Sequence, residues 1–131
     1  QICIDEAVSW ARERKTFGKS LINNQVIKHK LVEMNRCVRA SKAWTELLSW
    51  RVMNGESPIA DLAMLKVQAS KTMELCAREA MQILGGAGYL RGNSGPARVE
   101  RIYREVRVNA IGGGSEEIMY DLASRQLGYK A

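Results

Sequence analysis

Apolar residues recur in steps of three and four through most of the chain. Between residues 22 and 54 the positions Ile27, Leu31, Met34, Val38, Ser41, Thr45, Leu48 and Val52 form one stripe, which predicts a long helix packed on neighbours. Ser41 and Thr45 are small polar residues on that stripe, where another backbone can come close. Gly55 predicts the end of this helix. Ser57 and Pro58 predict the start of the next, with serine as N-cap and proline in the first turn. Its buried face is expected at Leu62, Leu65, Ala69, Met73, Cys76, Ala80 and Ile83, up to a stop at Gly85 and Gly86. The stretch GGAGYLRGNSGP carries too many glycines for regular structure, and Pro96 predicts the start of a further helix with Val99, Ile102, Tyr103 and Val106 on one side. Ser115 suits the N-cap of a last helix, Glu116 and Glu117 favour its positive end, and Gly128 suits its exit. The opening QICIDEAVSWARERK is already helical in pattern, and strand-like alternation is absent. The expectation is an all-α fold, an antiparallel four-helix bundle: two long helices, a short leading one and two shorter trailing ones, with no internal repeat.

Length and composition narrow this picture. A chain of 131 residues can bury a core as one domain without a disulfide or metal staple. Cys3, Cys37 and Cys76 are odd in number and widely spaced, which fits reduced thiols better than a disulfide framework or a zinc site. No apolar run approaches the roughly 20 residues a membrane helix needs, and the N-terminus lacks a signal-peptide pattern. The absence of an initiating Met and the helical opening suggest a piece of a longer protein. The net charge of +6 invites a polyanion reading, but bases and acids are interleaved, as in WARERK and RVERIYREVR. That pattern describes solvated helix faces rather than a phosphate track, so nucleic acid is not the expected partner.

Two stretches hold candidate chemistry. RERKTFGKSLINNQ places Arg14, Thr16 and Phe17 between the first helix and the long one. Arginine offers a fork of donors suited to phosphate, threonine a hydroxyl, and phenylalanine a cover for a planar ring. A solvent-facing loop with one buried aromatic explains the same residues. MQILGGAGY sets Gln82 one turn before paired glycines, where an amide could reach a ligand lying against bare backbone, and where a helix C-cap would serve equally. His29, between two lysines and without a second histidine, reads as exposed; Trp44 and Trp50 read as packing or interface residues. Arg101 and Arg104 with Glu100 and Glu105 read as an ion-pair network rather than a clamp for coenzyme A.

Taken in order, RKTFGKSLINNQ, AMQILGGAGY, ERIYREVR and IGGGSEEI closely resemble the C-terminal helical domain of the acyl-CoA dehydrogenases, over essentially the whole chain. The resemblance implies a single C-terminal bundle domain, residues 1–131, of a three-domain FAD enzyme assembled as a dimer of dimers. It implies that Arg14 and Thr16 contact the FAD pyrophosphate and adenosine region, with Phe17 packing nearby and Gln25 in the same neighbourhood. Gln82, Gly85 and Gly86 would meet the flavin of a neighbouring subunit, and Ser115 and Glu117 would supply the last cofactor contacts. Glu116 and Glu117 stand where more neutral residues are frequent in the family. The implied reaction is α,β-desaturation of an acyl-CoA thioester, with electrons passed to an electron-transfer flavoprotein. The implied location is the mitochondrial matrix in a eukaryote and the cytoplasm in a bacterium.

Many members of this family carry the catalytic glutamate inside the last glycine turn, and that position here is Gly113. The resemblance is therefore to isovaleryl-CoA and long-chain types, whose base lies on an earlier helix, which would fall upstream of Gln1. Glu116 and Glu117 are displaced from Gly113 and enter a helix N-terminus, where a carboxylate stays ionised rather than poised as a base. The Gly113 backbone N–H would instead polarise the thioester carbonyl, with Gly114 allowing close approach. No metal is expected. A non-catalytic assembly module of the same fold and an unrelated basic bundle binding a polyanion remain as alternatives. The isolated 131-residue chain is expected to fold without turning over acyl-CoA.

Overall fold

Helix α3 is the element on which the others converge. The computed structural model describes residues 1–91 and 97–129. In chain order these form α1 (Ile2–Glu13), a two-stranded hairpin of β1 (Lys15–Thr16) and β2 (Lys19–Ser20), a 3-10 turn (Leu21–Asn23), α2 (Gln25–Met53) and α3 (Ile59–Leu84). Then come α4 (Gly86–Tyr89), α5 (Ala97–Glu105), α6 (Arg107–Ile111) and α7 (Glu116–Gln126). Helix α3 packs against α1, α2, α4, α5, α6 and α7. The fold is all-α apart from the hairpin, a short pairing too brief to show as alternation in sequence.

The helix ends follow their local chemistry. Gly55, at φ 84°, lets the α2 terminus close with Gly55 N–H on Val52 O (3.0 Å) and Glu56 N–H on Arg51 O (3.1 Å), the paired bonds of a Schellman exit. Gly128, at φ 80°, does the same for α7. Ser115 caps α7 by accepting from the Ile118 N–H at 3.4 Å. At the start of α3, Pro58 rather than Ser57 occupies the N-cap position, so the helix begins one residue later than its dipeptide suggests. Pro96 lies outside the described residues, as does the end of the glycine-rich stretch. The part of that stretch that is described turns once as α4.

The main core joins Cys3, Ile4, Ala7 and Ala11 of α1, Ile27, Leu31 and Met34 of α2, and Cys76, Ala77, Ala80, Ile83 and Leu84 of α3, with Val99 and Val106 closing one side. Alanines where α1 meets α3 let the two axes approach closely. Two expectations need correction. On α2, Thr45 and Val52 are exposed, because the main cluster draws on α2 only as far as Met34 and its half-buried neighbour Val38. On α3, Leu62 and Met73 are exposed, while Ala63, Val67, Ser70, Thr72 and Ala77 are buried. A single-stripe reading assumes one partner, whereas α3 meets neighbours on several sides.

Trp44 is half-buried and Trp50 exposed, and His29 is exposed as expected. Arg101 pairs with Glu105 and Arg104 with Glu100, both at 2.7 Å, and Arg91 joins Glu100 at 3.5 Å. Those arginines form the ion-pair network.

All three cysteines are buried and free. Burial pushes the Cys76 thiol up to about 11 from an ordinary 9.0. A thiol that stays neutral in the folded state stabilises it fully below about pH 9 and loses that contribution as pH rises through about 11. Melting temperatures of the wild-type protein should therefore fall relative to those of Cys76→Ala between these pH values. Parallel curves would contradict this account.

Candidate functional site

Two parts of the surface carry the candidate residues. The first is where α1 ends. Arg14 leaves the helix with extended backbone, and its carbonyl accepts from Leu21 N–H at 2.7 Å, closing the hairpin base. Lys15 pairs with Ser20 and Thr16 with Lys19. Phe17 (φ 51°) and Gly18 (φ 78°) form the tip, both left-handed as a type I′ turn requires. For phenylalanine that conformation costs about 1–2 kcal/mol. Phe17 is fully exposed, which sets aside the alternative of a loop with one buried aromatic: the turn aims it away from the core.

The hairpin base faces the C-terminus of α3. Trp10, Arg14, Thr16 and Leu21 from one side and Gly85 and Gly86 from the other line a cavity of about 380 Å³. Gly85 has φ 59° and ψ −138°, and a Cβ at Gly85 or Gly86 would point into open space. The backbone there can be approached closely by a bound group. Arg14 has no ion-pair partner among the described residues. An uncommitted guanidinium, a hydroxyl and bare backbone fit the demands of a pyrophosphate. Phe17, Gln25 and Gln82 do not line this cavity. Gln82 is exposed on the last turn of α3, and Gln25 is exposed with its side-chain amide 3.4 Å from His29 Nε2. Sequence order separates Arg14 and Thr16 from Gly85 and Gly86, yet they share one cavity. Trp10 was missed, although its place one turn before Arg14 on α1 was a usable signal.

The second part is the glycine turn between α6 and α7. Gly112 caps α6 with extended backbone, and Gly113 (φ 66°) and Gly114 (φ 95°) turn the chain into Ser115. A Cβ at Gly113 would meet nothing, whereas one at Gly114 would collide with the Met119 side chain. The first turn of α7 holds the Glu117 carboxylate below the usual range through its own backbone N–H and then the Ser115 hydroxyl, with Arg107 and Lys66 nearby. A carboxylate so stabilised is a poor base. One oxygen of Glu116 is buried with no hydrogen-bond partner among the described residues. Lys66 of α3 donates to Asn109 O at 2.7 Å and Gly114 O at 2.5 Å, and Ser70 Oγ donates to Asn109 O at 3.0 Å. Sequence reading missed Lys66, although a cation between Leu65 and Val67 on a buried helix was a signal.

Lys66 touches the glycine turn and Leu84 lines the cavity. They lie about five turns apart on α3, about 27 Å at 1.5 Å per residue. Among the described residues no group of three His, Cys, Asp or Glu side chains converges to hold a metal, and no helix is long and apolar enough to cross a membrane.

A bare-backbone cavity thus lies at the C-terminal end of α3 and a glycine turn packs near its other end. Residues 1–128 match the description "Acyl-CoA dehydrogenase, C-terminal domain", and the chain belongs to the acyl-CoA dehydrogenase family of flavoprotein oxidoreductases. It is 38% identical to the acyl-CoA dehydrogenase AFT10-1 of Alternaria alternata, over 94% of this chain and 30% of that protein. A putative acyl-CoA dehydrogenase from Mycobacterium smegmatis superimposes with a TM-score of 0.92 at 36% identity, over 98% of this chain and 33% of that one. A glutaryl-coenzyme A dehydrogenase in complex with glutaryl-CoA superimposes with a TM-score of 0.86 at 30% identity, over 98% and 32%. The chain thus spans about a third of the length of these relatives.

Proposed function

We propose that this chain forms the part of an acyl-CoA dehydrogenase that completes the FAD site across a subunit interface and presents the glycine turn to an acyl-CoA thioester. The observation that carries this reading is the shared cavity of Arg14, Thr16, Gly85 and Gly86, far along α3 from Gly113. A separation of about 27 Å is more than one cofactor's reacting ring and pyrophosphate would bridge within one chain. The cavity therefore serves a neighbouring subunit's cofactor, and the glycine turn serves the chain's own. A dimer of dimers supplies both contacts in every site. This differs from assigning only Gln82, Gly85 and Gly86 to the neighbour, since Arg14 and Thr16 go with them.

In this arrangement Arg14 and Thr16 would hold the cofactor's pyrophosphate by charge-assisted and hydroxyl hydrogen bonds. Gly85 and Gly86 let the backbone lie against the cofactor. Phe17, held exposed at the hairpin tip, covers part of it. Gln25 and Gln82 are peripheral contacts, and Ser115 and Glu117 stand beside the chain's own cofactor. The bound FAD supplies the acceptor for the β-hydride. The Gly113 N–H donates to the thioester oxygen as negative charge develops there, lowering the barrier to α-proton loss. Gly113 cannot take that proton, so a carboxylate upstream of Gln1 does, and the electrons pass on to an electron-transfer flavoprotein. The missing carboxylate at Gly113 favours a second reading, an assembly module without dehydrogenase activity.

Anaerobic addition of acyl-CoA to the flavin-loaded full-length protein separates the two. Bleaching of the flavin absorbance, abolished when the upstream glutamate is replaced by glutamine, supports the dehydrogenase. A stable flavin spectrum with every acyl-CoA chain length tried would leave the assembly reading.

A further inference from the structure

Three consecutive glycines should be the least fixed part of a backbone, because each lacks the Cβ that restricts φ and ψ. Gly113 and Gly114 both have positive φ, and no side chain of their own selects it. Among the described residues, no main-chain hydrogen bond reaches either glycine. The Gly112 N–H donates to Val108 O at 2.7 Å on one side, and the next carbonyl used is Ser115 O, by Met119 N–H at 2.9 Å. What brackets the turn is a side chain from α3. The half-buried Lys66 donates to Asn109 O and to Gly114 O, one carbonyl before Gly113 and one after it. The Ser70 hydroxyl, one helical turn along α3, lies 3.0 Å from the same Asn109 carbonyl and 3.0 Å from the Lys66 carbonyl, and shares its one proton between them. Asn109 lies in the last turn of α6, where its carbonyl accepts no main-chain N–H among the described residues and the helix end favours a cation.

We infer that Lys66 is the positioning residue of the Gly113 turn: by tying the carbonyls of Asn109 and Gly114 to one ammonium it fixes the direction of the Gly113 N–H before a thioester arrives. This rests on the proposal that the turn faces the thioester carbonyl. A donor oriented in advance acts without reorganisation at the moment charge develops, which is where such a group gains its effect. Lys66 itself transfers no proton and touches no reacting atom.

The test uses the full-length, flavin-loaded protein with Lys66→Met, which keeps the apolar stem and removes the donors, and Lys66→Arg, which keeps the charge. Amide hydrogen exchange at Gly112, whose N–H is held by Val108 O at the entry to the turn, is expected to speed up roughly tenfold in Lys66→Met, with α1 and the first half of α2 unchanged. Turnover should fall in kcat by a similar factor with flavin content and KM near wild type, and Lys66→Arg should recover part of both. If Lys66→Met does not fold, Ser70→Ala, which removes a hydroxyl shared between the Asn109 and Lys66 carbonyls, is expected to give the same pattern at a smaller size. Unchanged exchange in the turn, or acceleration spread evenly through α1 and α2, overturns the inference. Faster exchange in the turn with kcat unaffected also overturns it, since the turn would then be held by Lys66 to no catalytic end. A wild-type protein that binds flavin but never responds to acyl-CoA would instead refute the proposal beneath it, while the exchange contrast would still report whether Lys66 holds the turn.

Discussion

Replacing Arg14 by alanine in the full-length protein is expected to weaken flavin binding by roughly 10- to 150-fold, the loss of a charged hydrogen bond of about 1.5–3 kcal/mol. The guanidinium lines the cavity with Thr16, Gly85 and Gly86 and has no ion pair among the described residues to fall back on. Its removal should therefore leave folding intact and cost affinity alone. Arg14→Lys should lie between, because a lysine restores charge without the planar fork. Flavin retention on dilution, followed by fluorescence of the released cofactor, measures the effect. If Arg14→Ala retains flavin as wild type does, the cavity is not where the cofactor is held.

The second large effect concerns stability. Met34 has no exposed surface and sits in the core cluster where α1, α2 and α3 meet. Its backbone carbonyl also lies 3.9 Å from the Cys76 sulfur of α3. Met34→Ala removes the side chain from the middle of that junction and is expected to lower unfolding free energy by about 2–5 kcal/mol, the usual range for such a truncation. Equilibrium denaturation should show a lower midpoint with an unchanged slope. A loss below about 1 kcal/mol would mean that neighbouring side chains collapse into the space, contrary to the close packing around it.

Much of the fold was legible because helix chemistry is local. The spacing of Ile27, Leu31 and Met34 marked the buried side of α2, and Gly55, Ser115 and Gly128 marked ends that the backbone bonds bear out. Burial on α3 was less legible. Leu62 and Met73 are large apolar residues left exposed while Ala63 and Ser70 are covered, because α3 is surrounded and the covered positions are those where neighbours come closest. The hairpin escaped notice for a different reason: two paired residues per strand are too few for alternation to register. Of the candidate site, residue types were visible but groupings were not. Arg14 and Gly85 lie 71 positions apart in sequence and share a cavity only because α1 and α3 pack side by side.

The sequence by itself determined the two long helices, the ends at Gly55, Ser115 and Gly128, the glycine-for-glutamate exchange at residue 113 and the family, since each depends on residues near one another in the chain or on their order along it. Only the tertiary structure decided which faces are covered, that Arg14 and Thr16 stand with Gly85 and Gly86, and that Lys66 reaches the carbonyls on both sides of Gly113. Those outcomes depend on how helices approach one another, and that is set by the packing of all of them at once rather than by any single stretch.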